Sequence, residues 1–208
     1  YPGVSPYVYC ANNPVRLVDV DGREIRIYYK EKQGFARLFE KRKYYVYTPG
    51  SSYDGENDYV SETVKALDYV SAGDQKNVIS TLADDKHIFK IKEGKFDDEK
   101  YSPLTRTITF NPHSGLKVLD DNGNPTGERQ TPALGLLHEL GHAFVKLTKA
   151  FVSNFFNNGD DQYDNKEDAW IIKNIETPAA KILNEGIRYN HDGDAFKAKN
   201  STSMEDYE

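Results

Sequence analysis

Two histidines four positions apart, with a glutamate beside the first, give the stretch His138-Glu139-Leu140-Gly141-His142. On a helix, positions four apart share a face, so both imidazoles can reach one point. One zinc ion suits that point, and Glu139 would lean toward a water bound there as general base. Two histidines on an otherwise apolar helix are hard to satisfy in any other way. Small Gly141 and Ala143 leave room for neighbouring elements to come close to the ligands.

A catalytic zinc site takes three protein ligands and keeps one position open. No third histidine follows at the short Gly-x-x-His spacing, so the third ligand must come from farther downstream. Glu167, at the start of a second predicted helix, is the favoured residue; Asp168 and Glu176 are the alternatives. A tetrahedral oxyanion also needs a donor besides the ion. Arg188, Tyr189 and His191 form a compact polar group just beyond the last predicted helix and are the candidates for that work. His87 and His113 read as surface, strand or loop residues.

The histidine pair needs a rigid support, and the chain supplies one. Thr131 can cap the central helix with Pro132 at its first position, and Leu136, Leu137, Leu140, Phe144 and Leu147 give it an apolar face. Upstream, 24–30 and 43–48 read as strands, with a hairpin or meander between them. Val60, Val64, Leu67 and Val70 mark a helix over 59–72, closed by Gly73. Asp74 caps a shorter helix through Leu82. Residues 87–91 and 104–110 read as strands, the latter either an ordinary core strand or a sheet edge where an extended peptide could pair with it. Residues 114–130 are polar and turn-rich, with a hairpin tip at 121–125. Beyond a loop over 152–164, one helix runs from Lys166 through Glu176, and Thr177-Pro178 starts another that Gly186 stops. The tail beyond Phe196 is expected to be disordered.

Composition sets the outer limits. The chain has 208 residues, 38% of them hydrophobic, 29% charged and 15 of them tyrosine, which suits one globular domain with a sizeable core. A net charge of −6 without a basic stripe argues against nucleic acid as a partner. No apolar run approaches the ~18 residues that span a bilayer, and no charged leader precedes an apolar run. Cys10 alone cannot form an internal disulfide. A chain opening on Tyr1 reads as a piece of something longer.

Two resemblances extend this reading. Ser5-Pro-Tyr-Val-Tyr-Cys-Ala-Asn-Asn-Pro14 and Val18-Asp-Val-Asp-Gly22 resemble the end of an Rhs/YD-repeat core, with Val20 where proline is usual. Leu137-His-Glu-Leu-Gly-His-Ala143, Glu167-Asp168, Ile175-Glu-Thr-Pro-Ala179 and Arg188-Tyr189 resemble the effector-type zinc metallopeptidases, with Ala169-Trp170 where an arginine is common. Together they imply an α+β, zincin-like fold: a small twisted sheet, the histidine helix and further C-terminal helices. They divide the chain into a carrier end (1–23), a metallopeptidase domain (24–196) and a polar tail (197–208). They imply a secreted polymorphic toxin that enters a target cell through a bacterial secretion system and hydrolyses a protein substrate. Its further partners would be a cognate immunity protein and the Rhs core cage. Two other functions fit the same residues: a non-catalytic metal-binding plug within the cage, or a zinc amidohydrolase of non-peptide substrates.

Overall fold

The computed structural model of the chain describes residues 24–30, 42–148, 159–160 and 162–207. Residues 1–23, which carry the resemblance to a toxin carrier, lie outside that description, as does most of the predicted 152–164 loop.

Strands β1 (Ile25–Lys30) and β2 (Arg42–Tyr47) pair antiparallel, in keeping with the predicted hairpin. Along β1, Ile25 and Ile27 are buried while Arg26 between them is not, the period-two signature of a sheet with one face in the core. In β3 (Phe89–Glu93), Phe89 and Ile91 repeat that pattern, and the strand runs parallel to β1. β5 (Thr107–Phe110) continues parallel to β3, and β4 (Lys100–Ser102) closes the sheet antiparallel to β5. The result is a five-stranded mixed sheet of order β2-β1-β3-β5-β4. Of the two places open to the run 104–110, core strand or edge, it takes the interior one. Its first residues belong to the turn from β4, with Arg106 at φ 49°, and β4 is the edge.

Helix α1 (Asp58–Ser71) starts where the Asn57 side chain accepts the Val60 N–H at 3.1 Å, and it buries Val60, Val64, Leu67 and Val70. Asp74 caps α2 (Val78–Ala83) from upstream, its two carboxylate oxygens accepting the N–H groups of Val78 and Ile79, each at 2.9 Å.

Residues 114–130 hold more order than their polar composition suggests. β6 (Ser114–Leu119) and β7 (Pro125–Gln130) form a hairpin around the expected tip; β8 (Gly159–Asp160) and β9 (Asp164–Asn165) pair with each other, and β10 (Gly193–Lys197) joins β6 to make a second sheet, β10-β6-β7. The first four residues of β7 are exposed, so it has no burial pattern to read there. The tail expected to be disordered is anchored instead. Ser201 is fully buried, and its carbonyl accepts the Ala133 N–H at 2.8 Å. Its own N–H and hydroxyl donate to Glu62 at 3.0 and 2.9 Å. Hydrogen bonds to helix ends and surface acids hold this segment, and hydropathy does not register them.

Helix α3 (Pro132–Thr148) carries the histidines, and Thr131 Oγ1 accepts the Leu134 N–H at 3.2 Å with Pro132 at its first position. It touches β4, β5, α1 and α2, and also the helical run that follows it in sequence. A helix enclosed on so many sides is apolar nearly all round, so polar side chains on it require partners. That run, α4 (Lys166–Ile171), passes through a π-helical turn (Ile172–Glu176) into α5 (Thr177–Leu183). Thr177-Pro178 was expected to open a new helix, but no break occurs. Proline lacks an N–H and crowds the carbonyl four residues back; the wider π-turn just before it shifts that register. The run ends at Asn184 in the left-handed conformation, φ 57°, two residues before the expected stop at Gly186.

Candidate metal centre

The histidines of α3 do converge. His138 Nε2 and His142 Nε2 lie 3.2 Å apart. Asp168 Oδ1, from the first turn of α4, stands 3.2 Å from His142 Nε2 and 3.9 Å from His138 Nε2. Ligands bonded to zinc at about 2.0–2.1 Å in a tetrahedron stand about 3.3 Å from one another. The three atoms are thus spaced as donors that share one ion, and they form one of two metal-competent groups among the described residues.

The far side of each ring is held by a carboxylate. His138 Nδ1 lies 2.8 Å from Glu176 Oε2, and His142 Nδ1 lies 2.9 Å from Glu167 Oε1. A carboxylate only accepts, so each Nδ1 carries a proton, and each Nε2 is the nitrogen turned toward the point of convergence. Glu167's other oxygen accepts from Lys146 Nζ at 2.9 Å. Both Glu167 oxygens are therefore engaged behind His142, and the favoured third-ligand position passes from Glu167 to its neighbour Asp168. Glu176, the other alternative, is 1% exposed and takes further hydrogen bonds from Gln130 Nε2 at 2.9 Å and Arg188 Nη1 at 3.4 Å. It too lies behind a histidine.

Local sequence explains this aim. Asn165 caps α4: its Oδ1 accepts the Asp168 N–H at 2.9 Å, and its Nδ2 donates to Asp168 Oδ2. The pair is a reciprocal cap in which Asn165 and Asp168 hold each other, and it leaves Asp168 Oδ1 facing the histidines. From Asp168 to Glu176 a regular α-helix would turn through two full turns and about 80° more. The π-turn holds roughly one extra residue and takes most of that excess back, so both acids face α3.

Close packing completes the arrangement. A Cβ at Gly141 would lie 2.8 Å from Ile171 Cγ2 and 3.3 Å from Ile175 Cδ1, so α4 and the π-turn rest on the bare backbone of α3. Gly141→Ala should push α4 outward and carry Asp168 with it. The expected cost is about 1–3 kcal/mol of stability, read by denaturant titration, together with weaker zinc binding in competition with a chromophoric chelator.

Electrostatics link the site to pH. Burial alone would lower the His142 pKa, but hydrogen bonds to Asp168 and Glu167 and the nearby Glu139 charge raise it to about 9. Burial likewise opposes ionisation of Glu176, yet the Arg188 charge and the His138 contact bring it down to about 2. Asp168 and Glu167 are also lowered against their burial, chiefly by His142. In metal-free protein the raised His142 value stabilises the fold fully below its unfolded pKa of about 6.5, and that contribution disappears as pH rises through about 9. Chelated protein should therefore lose thermal stability between these pH values. A metal ion held at His142 Nε2 would displace that proton, so metal added at pH 7 should release about one proton from His142, measurable by calorimetry in buffers of different ionisation enthalpy.

The remaining expected residues divide. Glu139 is half-buried on α3, and its carboxylate takes no hydrogen bond from any described residue. Arg188 is committed to Glu176 and to the His191 carbonyl, which places its guanidinium behind the site. Its Nε is buried without a partner. Tyr189 is 48% exposed, and its carbonyl accepts from Gln162 Nε2 at 2.6 Å. The His191 ring lies 5.4 Å from that of His138, and its Nδ1 is 2.8 Å from Asp164. Burial, then the Arg188 and His138 charges, lower its pKa. His87 pairs with Asp85, and His113 with the Ala198 carbonyl, both away from the site. Sequence reasoning missed Lys146, Gln130, Asp164 and Asn165. Of these only Asn165 left a readable signal, the cap spacing Asn165-x-x-Asp168. No protein-family model matches the chain, and no curated protein or solved structure matches it either.

Proposed function

We propose that this chain is a zinc-dependent endopeptidase with a zincin-like fold, the toxic tip of an Rhs-type carrier that cleaves a protein inside a target cell. The observation that carries the enzymatic part is the convergence of His138 Nε2, His142 Nε2 and Asp168 Oδ1, with Glu139 on the same helix. The delivery part, with an immunity protein and a cage as partners, rests on the resemblance of residues 1–23 and on the peptidase resemblance around the histidines.

A zinc ion held by His138, His142 and Asp168 would supply a Lewis acid and bring a bound water toward neutral acidity. Glu139 takes the proton of the attacking water and passes it to the departing nitrogen. Glu176 and Glu167 keep both Nε2 lone pairs turned inward throughout. The outer edge of β4 pairs with no described strand and lies beside α3, so an extended peptide can add to it by backbone hydrogen bonds. Among the described residues no helix is long and apolar enough to cross a membrane.

The test is a native cell lysate incubated with the zinc-loaded chain, followed by mass-spectrometric identification of new protein N-termini. A discrete set that disappears with chelator is expected. No new N-termini would sink the peptidase reading, and hydrolysis of small non-peptide amides alone would favour an amidohydrolase.

A further inference from the structure

Helix α3 carries a third side chain on the stripe that holds the histidines. His138, His142 and Lys146 follow one another in four-residue steps, so one face presents two imidazoles and an ammonium in a row. The last two meet the same acid from α4. His142 Nδ1 lies 2.9 Å from Glu167 Oε1, and Lys146 Nζ donates to Glu167 Oε2 at 2.9 Å. Each oxygen of Glu167 thus has its own donor, and the two donors sit one turn apart on one helix.

Burial is graded across this trio. The Glu167 side chain is 6% exposed, that of His142 19% and that of Lys146 28%, so the ammonium reaches an enclosed carboxylate from the rim. When a metal takes His142 Nε2, the ring keeps only its Nδ1 proton, and Lys146 is the cation that meets the buried Glu167 charge. One hydrogen bond alone would let the carboxylate pivot about Oε1. The second, which is charge-assisted, fixes its plane.

Building on the reading of these side chains as a metal centre, we propose that Lys146 is a positioning residue for the bound ion. It acts through Glu167, holding that carboxylate behind His142 and keeping its second oxygen away from the ion. His142 Nε2 then stays aimed at the point of convergence, and the place of third donor falls to Asp168. A lysine near a dication also repels it, which opposes binding. That repulsion crosses part-exposed surroundings and is screened by salt, whereas the hydrogen bond acts at contact, so positioning is the larger effect.

The experiment measures zinc affinity by competition with a chromophoric chelator. It compares wild type, Lys146→Met, Lys146→Arg, Glu167→Ala and the double variant of Lys146→Met with Glu167→Ala. Thermal unfolding of each chain without metal separates a lost fold from a lost site. Lys146→Met should bind zinc about 3- to 10-fold more weakly, less than the ~10–100-fold for a carboxylate directly on a ligand, and Lys146→Arg should recover most of the loss. With Glu167 already removed, Lys146→Met should change affinity by less than about 2-fold, because residues that act through one another are not additive. Cobalt in place of zinc should show altered visible absorption in Lys146→Met and the wild-type bands in Lys146→Arg. An equal loss in both backgrounds would overturn the assignment. Tighter binding in Lys146→Met would overturn it too, since repulsion would then dominate. A wild type that binds neither zinc nor cobalt defeats the metal reading and this role together, and is recognised before any substitution is made.

Discussion

Glu139→Gln should leave zinc in place and lower peptide hydrolysis by about 10²–10⁴-fold, the range that a positioned general base contributes. The two side chains have the same shape, so α3 keeps its packing. No described residue hydrogen-bonds the Glu139 carboxylate, so the substitution breaks no hydrogen bond of the fold. The loss should fall on kcat, because the base acts in the transition state and does little for substrate binding. Zinc per chain and thermal midpoint, measured beside the kinetics, separate this outcome from misfolding. If hydrolysis survives, Glu139 is not the base and the mechanism is wrong.

The second large effect separates neighbouring acids. Asp168→Ala removes one of three donor atoms and should reduce zinc affinity by more than about 100-fold. Glu167→Ala leaves the three donors in place but frees His142 Nδ1, so a loss of about 10–100-fold is expected. Lys146 would also lose its partner there, a contact of 2.9 Å between part-buried groups. Competition titration with a chelator gives both affinities. A larger loss in Glu167→Ala than in Asp168→Ala would restore Glu167 as the ligand.

The histidine helix was legible in the sequence because its signals are local. A Thr131 cap, a proline at the first position and apolar spacing fix where it starts and which faces it buries. The identity of the third donor was not legible. Adjacent residues on a helix point about 100° apart, so choosing between Glu167 and Asp168 means knowing how α4 is rotated against α3. Contact at Gly141, the Asn165 clamp and the π-turn set that rotation, and none of them shows in hydropathy. Whether 104–110 lies at the edge or inside the sheet was not legible for a similar reason. The alternation of 104–110 runs through a turn, and strand order depends on pairings far apart in sequence. In the tail, buried Ser201 is held by hydrogen bonds to Ala133 and Glu62, and composition alone gives no sign of it.

The central claim is that one ion is shared by His138, His142 and Asp168. An anomalous-difference map of zinc-loaded crystals, collected on both sides of the zinc absorption edge, tests it most directly. One peak is predicted, bonded to both Nε2 atoms and to Asp168 Oδ1 at about 2.0–2.2 Å, with Glu167 and Glu176 still on the Nδ1 atoms. No peak between the histidines, or a peak bonded to Glu167 in place of Asp168, would contradict the account.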